Sequence, residues 1–207
     1  INRLVTDALA DLLLTPSEDA NEHLLQEGVA AGKIEFVGNI MIDSLVTNLP
    51  MARASGALSR LGVTPGLFVY VTLHRPSNVD GRESLTKIMN GLESLSERLP
   101  VVFPIHPRTR KKLVDFGLAP NPDERLMLLE PIGYYESLCL AESARLVLTD
   151  SGGLQEETTF FRTPCLTLRA TTERPVTVTL GSNRMTTLDT LFEDIDRVLR
   201  GPERTGH

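Results

Sequence analysis

The chain has 207 residues, a net charge of −6 and 41% hydrophobic residues, ample for one buried core, or one domain with an appended fragment. The acidic balance argues against a nucleic-acid binder, because such proteins generally carry a cationic surface. No apolar stretch approaches the ~20 residues of a membrane span, and the start shows no signal peptide. Cys139 lies in a helical pattern and Cys165 in a strand. Both read as buried small hydrophobes in a reducing compartment, so a cytoplasmic location is expected.

In chain order, residues 2–13 have apolar positions at helical spacing. Thr15-Pro16-Ser17-Glu18 then breaks the pattern and caps a second helix through about Glu27, closed by Gly28 and Gly32. Ile34-Glu35-Phe36-Val37 makes a short strand. A long helical stretch follows from about Met41 to Leu61, with Pro50 expected to kink or split it. From Leu67 onward, strands at about 67–73, 101–105, 126–129, 145–149 and 164–168 alternate with helices at about 82–98, 107–115, 134–142 and 153–161, and a last helical run, 191–200, lies near the end. Strict alternation predicts a Rossmann-like parallel sheet with helices on both faces. The domain boundary is expected near residues 38–48, giving a first part at 1–42 and a main domain at 43–207.

The chemistry gathers where strands end. The run Arg145-Leu-Val-Leu-Thr stops at Asp150-Ser151-Gly152-Gly153, which reads as strand, glycine turn and helix. Adjacent glycines let backbone amides approach a ligand, and free N–H groups of the following helix suit a phosphate. Ser151 adds a hydroxyl, and Glu157, about one turn into the helix, could accept hydrogen bonds from ribose hydroxyls. Past the next strand come Arg169 and Arg174, whose guanidiniums suit bidentate phosphate binding. Two further strands end in His74 and His106, followed by Arg75 and by Arg108 and Arg110. In open α/β sheets ligands bind outside such carboxyl ends. Metal is not expected, since neither histidine has a carboxylate or thiol at ligand spacing and the neighbours are cationic.

The segments His74-Arg-Pro-Ser-Asn-Val-Asp, Pro104-Ile-His-Pro-Arg-Thr-Arg, Asp150-Ser-Gly-Gly-Leu-Gln-Glu-Glu and Thr171-Thr-Glu-Arg-Pro, in this order, closely resemble the non-hydrolysing bacterial UDP-N-acetylglucosamine 2-epimerases. Ile1-Asn-Arg-Leu-Val-Thr-Asp and Val37-Gly-Asn-Ile-Met-Ile-Asp-Ser-Leu extend the likeness over nearly the whole chain. The resemblance implies a glycosyltransferase-B architecture of two Rossmann-like domains facing a cleft. Here the second domain would be present with a remnant of the first, and the first domain's acid and base carboxylates would lie upstream of Ile1. It implies elimination of UDP to a 2-acetamidoglucal and re-addition on the other face, with no cofactor and, in the full-length protein, a homodimer. By the same resemblance Ser151, Gly152 and Gly153 hold phosphate, Glu157 holds the ribose, and Arg174 bears on the ligand. His74 assists departure of UDP. The loop 131–137, including Ser137, lines the uracil. Arg75 and His106 match positions of a second, regulatory nucleotide sugar, with Arg169 a further phosphate contact.

Two departures stand out: Ser77 and Val176 replace carboxylates that the family usually carries, which raises local positive potential. A hydrolysing relative or a glycosyltransferase of the same architecture is the alternative enzyme reading, and a non-catalytic nucleotide-sugar binding module the non-enzymatic one.

Overall fold

A computed structural model of the chain describes residues 1–118 and 125–201. It divides into two compact units, Ile1–Thr47 and Asn48–His207. The first holds α1 (Asn2–Leu9), β1 (Leu13–Thr15), α2 (Glu18–Gln26), a 3-10 turn at Ala31–Lys33 and β2 (Ile34–Phe36). The two strands pair in parallel with Leu13 opposite Ile34. The opening helix is thus shorter than the 2–13 expected from spacing. Leu12-Leu13-Leu14 is apolar at every position, a pattern that serves helix or strand equally, and pairing to β2 decides it.

Helix α3 (Ile40–Arg53) runs across the division. Pro50 lies inside it and does not end it: Ala54 N–H still bonds the Pro50 carbonyl at 3.1 Å. The break comes instead at Gly56, whose φ of +69° is a left-handed conformation glycine adopts without cost, and α4 (Ala57–Leu61) follows.

The remaining elements are β3 (Val69–Thr72), α5 (Pro76–Val79), α6 (Arg82–Ser96), β4 (Val101–Pro104), α7 (Pro107–Phe116), β5 (Leu126–Leu129), α8 (Tyr134–Ser143), β6 (Leu146–Thr149), α9 (Gly152–Phe161), β7 (Cys165–Leu168), α10 (Pro175–Thr179), β8 (Asn183–Thr186) and α11 (Leu191–Arg200). All six strands of the main sheet pair in parallel, in the order β5-β4-β3-β6-β7-β8. Alternation along the strands assigns the faces. Val69, Val71, Leu146, Leu148, Leu166 and Leu168 join Leu85, Ile88 and Leu92 of α6 and Leu191 and Ile195 of α11 in one core. Tyr70, one residue out of phase, reaches α8 on the opposite face, its hydroxyl 2.9 Å from Ser137 Oγ. The expected doubly covered parallel sheet is therefore what forms, and among the described residues no helix is long and apolar enough to cross a membrane.

The short helices α5 and α10 and the edge strand β8 were not expected. Strand β8 is Asn-Arg-Met-Thr, without the apolar alternation that marks a strand; its Asn183 is buried and anchored by hydrogen bonds instead.

Candidate active site

Counted within this unit the strand order is third, second, first, fourth, fifth, sixth. The chain starts in the middle, builds to one edge, then returns to build to the other. The reversal falls between β3 and β6, and there the two outgoing chains diverge to open a crevice. The strand ends flagged by sequence lie side by side along the sheet: His106 after β4, His74 after β3, Ser151 after β6 and Arg169 after β7.

Asp150 organises the centre. It is fully buried, and its carboxylate accepts hydrogen bonds from the backbone N–H groups of His74 (3.1 Å) and Arg75 (2.9 Å) and from Asn78 Nδ2 (2.9 Å), while His74 Nδ1 lies 2.9 Å from Oδ1. Arg75 Nε closes the loop on the Asp150 carbonyl at 3.0 Å, and Asn78 Nδ2 also reaches the Leu168 carbonyl at 3.1 Å. Burial would push the Asp150 carboxyl up, but the bonds from His74, Arg75 and Asn78 outweigh it and hold it below its ordinary range. Sequence reading passed over Asp150 and Asn78. The available signal was an ionisable residue closing a buried, uncharged strand, Leu146–Thr149, which needs partners to be buried there.

His74 is raised above its usual value, chiefly by the hydrogen bond to Asp150, with burial opposing. That bond fixes Nδ1 as the inner donor and leaves Nε2 as the outer nitrogen of a side chain 45% exposed. The His106 ring lies 6.1 Å away, centroid to centroid, but its Nδ1 accepts the Arg108 N–H at 3.2 Å, so His106 caps α7. Arg108 pairs with Asp80, and Arg110 reaches the Leu129 carbonyl at 3.1 Å.

Ser151 caps the start of α9 without a side-chain hydrogen bond, its own N–H bonding Thr149 Oγ1 at 2.9 Å. The helix therefore presents its first N–H groups and the positive end of its dipole, uncapped by the Ser151 side chain, at the crevice. Gly152 has an ordinary negative φ, and a Cβ there would meet nothing within 4 Å. The fold itself makes no demand for glycine at 152; close approach by something outside the chain would. Gly153 follows in the first turn of the helix, also with negative φ.

Glu157, one turn on, is buried, and desolvation together with the neighbouring Glu156 charge pushes its carboxyl up to about 7. Two phenols share its surroundings: Glu157 adds to the upward push on Tyr70, at about 12 chiefly through burial, and on Tyr134. Ser137 stands in the first turn of α8, not in a loop, where it holds the Tyr70 hydroxyl. A raised carboxyl stabilises the fold below its unfolded value near 4.5, and that stability is lost as pH rises through about 7. Glu157→Gln should accordingly gain stability over the parent by on the order of 2 kcal/mol at pH 8, with the gain shrinking towards pH 5. Denaturant unfolding at both pH values checks this; a pH-independent difference would refute it.

Past β7, Arg169 is committed to Glu173 by two contacts of 2.7 and 2.6 Å, and that pairing, first of all, holds the Glu173 carboxyl down at about 2. Arg174 Nε lies 2.9 Å from Glu156 Oε1, an ion pair of proximity without an aligned hydrogen bond, and 39% of its side chain is exposed. Of the two departures, Ser77 Oγ stands 3.5 Å from Asn78 Oδ1 and Val176 is an exposed residue of α10.

Sheet order, covered faces and a polar crevice at the switch point define an α/β domain of the Rossmann-like class. The chain belongs to the UDP-N-acetylglucosamine 2-epimerase family, whose sequence model matches residues 1–203. It is 40% identical over 190 residues to the UDP-N-acetylglucosamine 2-epimerase of Methanocaldococcus jannaschii, covering 88% of this chain and 52% of that protein. A UDP-2,3-diacetamido-2,3-dideoxy-D-glucuronate 2-epimerase of Pseudomonas aeruginosa is 39% identical over 187 residues, covering 88% of this chain and 50% of that protein. Among solved structures, the Methanocaldococcus jannaschii UDP-GlcNAc 2-epimerase in complex with UDP-GlcNAc and UDP superposes with a TM-score of 0.83 at 36% identity, over 98% of this chain and 58% of that one. The chain thus spans about half the length of these curated relatives, and its sheet is one half of a glycosyltransferase-B architecture.

Proposed function

We propose that this chain is the nucleotide-holding part of a UDP-N-acetylglucosamine 2-epimerase, which interconverts UDP-N-acetylglucosamine and UDP-N-acetylmannosamine. The observation that carries it is the convergence at one switch point of an open helix N-terminus, an imidazole held by a buried carboxylate, and the desolvated Glu157 carboxyl, in a chain whose relative was solved with UDP-GlcNAc and UDP bound. Carbon 2 of the sugar bears a proton that no adjacent carbonyl acidifies, so elimination of UDP and its re-addition is the accessible route. The protein must then grip a departing pyrophosphate. In this reading the N–H groups at Ser151, Gly152 and Gly153 meet the phosphates with Arg174, Glu157 takes the ribose hydroxyls, and Ser137 with the 131–137 segment borders the uracil. His74 Nε2 supports the charge that develops as UDP leaves. Arg75, His106 and Arg169 are the candidates for a second nucleotide sugar. Residues 1–42 belong to a first domain that supplies the acid and base carboxylates, and the full-length protein works as a homodimer in the cytoplasm. A second reading, the same chemistry on a diacetamido uronate sugar, draws on the nearly equal likeness to the Pseudomonas aeruginosa relative; product analysis of the full-length protein with each sugar nucleotide separates the two.

Calorimetry on this chain is expected to give a UDP dissociation constant on the order of micromolar to millimolar, since half of the enclosing surface is absent. Arg174→Ala should weaken UDP by roughly 1.5–3 kcal/mol and leave uridine nearly unchanged, because a guanidinium matched to phosphate contributes little to the base. No heat and no competition at millimolar UDP would overturn the reading; equal losses for UDP and uridine would move Arg174 away from the phosphates.

A further inference from the structure

Behind the crevice lies a polar cluster that the roles above leave unused. Gln155 is fully buried on α9, Asn183 is buried on the edge strand β8, and Thr167 and Thr177 are buried beside them. Gln155 Nε2 donates to the Ser151 carbonyl at 3.3 Å, and its Oε1 accepts from Thr172 Oγ1 at 2.6 Å and from Asn183 Nδ2 at 3.2 Å. Asn183 Nδ2 also donates to Thr177 Oγ1 at 3.1 Å, and Asn183 Oδ1 accepts from Thr167 Oγ1 at 2.7 Å. The two threonine hydroxyls then take hold of one residue from both sides: the Arg174 N–H donates to Thr172 Oγ1 at 3.0 Å, and Thr177 Oγ1 donates to the Arg174 carbonyl at 2.7 Å.

We propose that Gln155, Asn183, Thr172 and Thr177 are positioning residues that set Arg174 in register with the Ser151 turn, so that a diphosphate meets the guanidinium and the α9 N-terminus together. The inference rests on the nucleotide reading of the crevice. Its physical basis is that Arg174 is held at both ends of its backbone, its N–H by the Thr172 hydroxyl and its carbonyl by the Thr177 hydroxyl, so the point from which its side chain leaves the loop is set by the two threonines. Each amide bridges two elements: Gln155 joins the turn after β6 to the loop after β7, and Asn183 joins that loop's helix to the sheet edge. The chain orders the loop from behind and leaves the crevice side to the ligand.

Thr172 is partly exposed, so changing it spares the core. Thr172→Val removes the hydroxyl at nearly constant shape, and Thr172→Ser keeps it. Calorimetry with UDP and uridine is expected to show about a tenfold loss of UDP affinity for Thr172→Val, the scale of one lost hydrogen bond transmitted to a charged contact, with uridine changed less than about twofold and Thr172→Ser within about twofold of the parent. Asn183→Asp, which cannot donate to Gln155 or Thr177, should behave as Thr172→Val does. Placed in an Arg174→Ala background, Thr172→Val should add no further loss. Unchanged UDP affinity for a folded Thr172→Val, equal losses for UDP and uridine, or a full additional loss in the Arg174→Ala background would each overturn the proposal. A parent chain that binds neither UDP nor uridine would overturn the nucleotide reading and this inference with it.

Discussion

Asp150→Asn is expected to lower the unfolding free energy of this chain by about 2–4 kcal/mol, the range for breaking a buried charged network by removing one partner's charge. The carboxylate serves four donors: two backbone N–H groups, the Asn78 amide and His74 Nδ1. An asparagine of the same shape offers one oxygen and turns an NH2 towards groups that also donate, in a place with no solvent access. All four donors belong to His74, Arg75 and Asn78, so the loss falls on the segment from His74 to Asn78. The test is a denaturant midpoint that falls while the slope holds. Asp80→Asn, which breaks an exposed pair with Arg108, serves as the control and should change the midpoint little. An Asp150→Asn midpoint indistinguishable from the parent would mean that the four donors are satisfied otherwise.

His74→Ala, introduced into a full-length protein carrying this domain, should slow epimerisation and exchange of the carbon 2 proton by about 100-fold, the usual scale for one acid–base or electrostatic group. The Asp150 bond raises His74 above its ordinary value, so the imidazolium persists to higher pH than in a free histidine. Its share of fold stability is complete below about 6.5 and is lost as pH rises through the raised value. The descending limb of the pH–rate profile assigned to His74 should accordingly lie above 6.5 and move down in Asp150→Asn. A His74→Ala protein with near-parent turnover would leave His74 an ordinary strand-end residue.

The strands and helices from β3 to β7 were legible because each strand is mainly apolar, with no charged residue and threonine its most polar member, and is bounded by turn residues, the signature of a sheet covered on both faces. The strand ends were legible for the same reason, since an apolar run that stops at His74 or Asp150 marks where the chain leaves the sheet. Sheet order was not, because it depends on which strand each crossover returns to, and with it went the knowledge that β3 and β6 are neighbours. Gln155, Thr172, Thr177 and Asn183 read as solvated residues in a sequence. Only their mutual satisfaction allows Gln155, Thr177 and Asn183 to be buried, and that is a property of the assembled fold. The same reason hid β8, whose place at the edge is held by Asn183 and not by apolar alternation.

The open start of α9, with the desolvated Glu157 one turn behind it, ties the thermodynamics of the fold to its surroundings. N–H groups that the Ser151 side chain does not cap and a carboxyl driven up to about 7 are costs that the fold carries by itself. A ligand bringing phosphate to the first and ribose hydroxyls to the second relieves both. At a free concentration one hundred times its dissociation constant, any ligand specific for the folded state adds about 2.7 kcal/mol. The melting temperature of this chain should therefore report nucleotide concentration, and a preparation stripped of nucleotide should be the one that unfolds first.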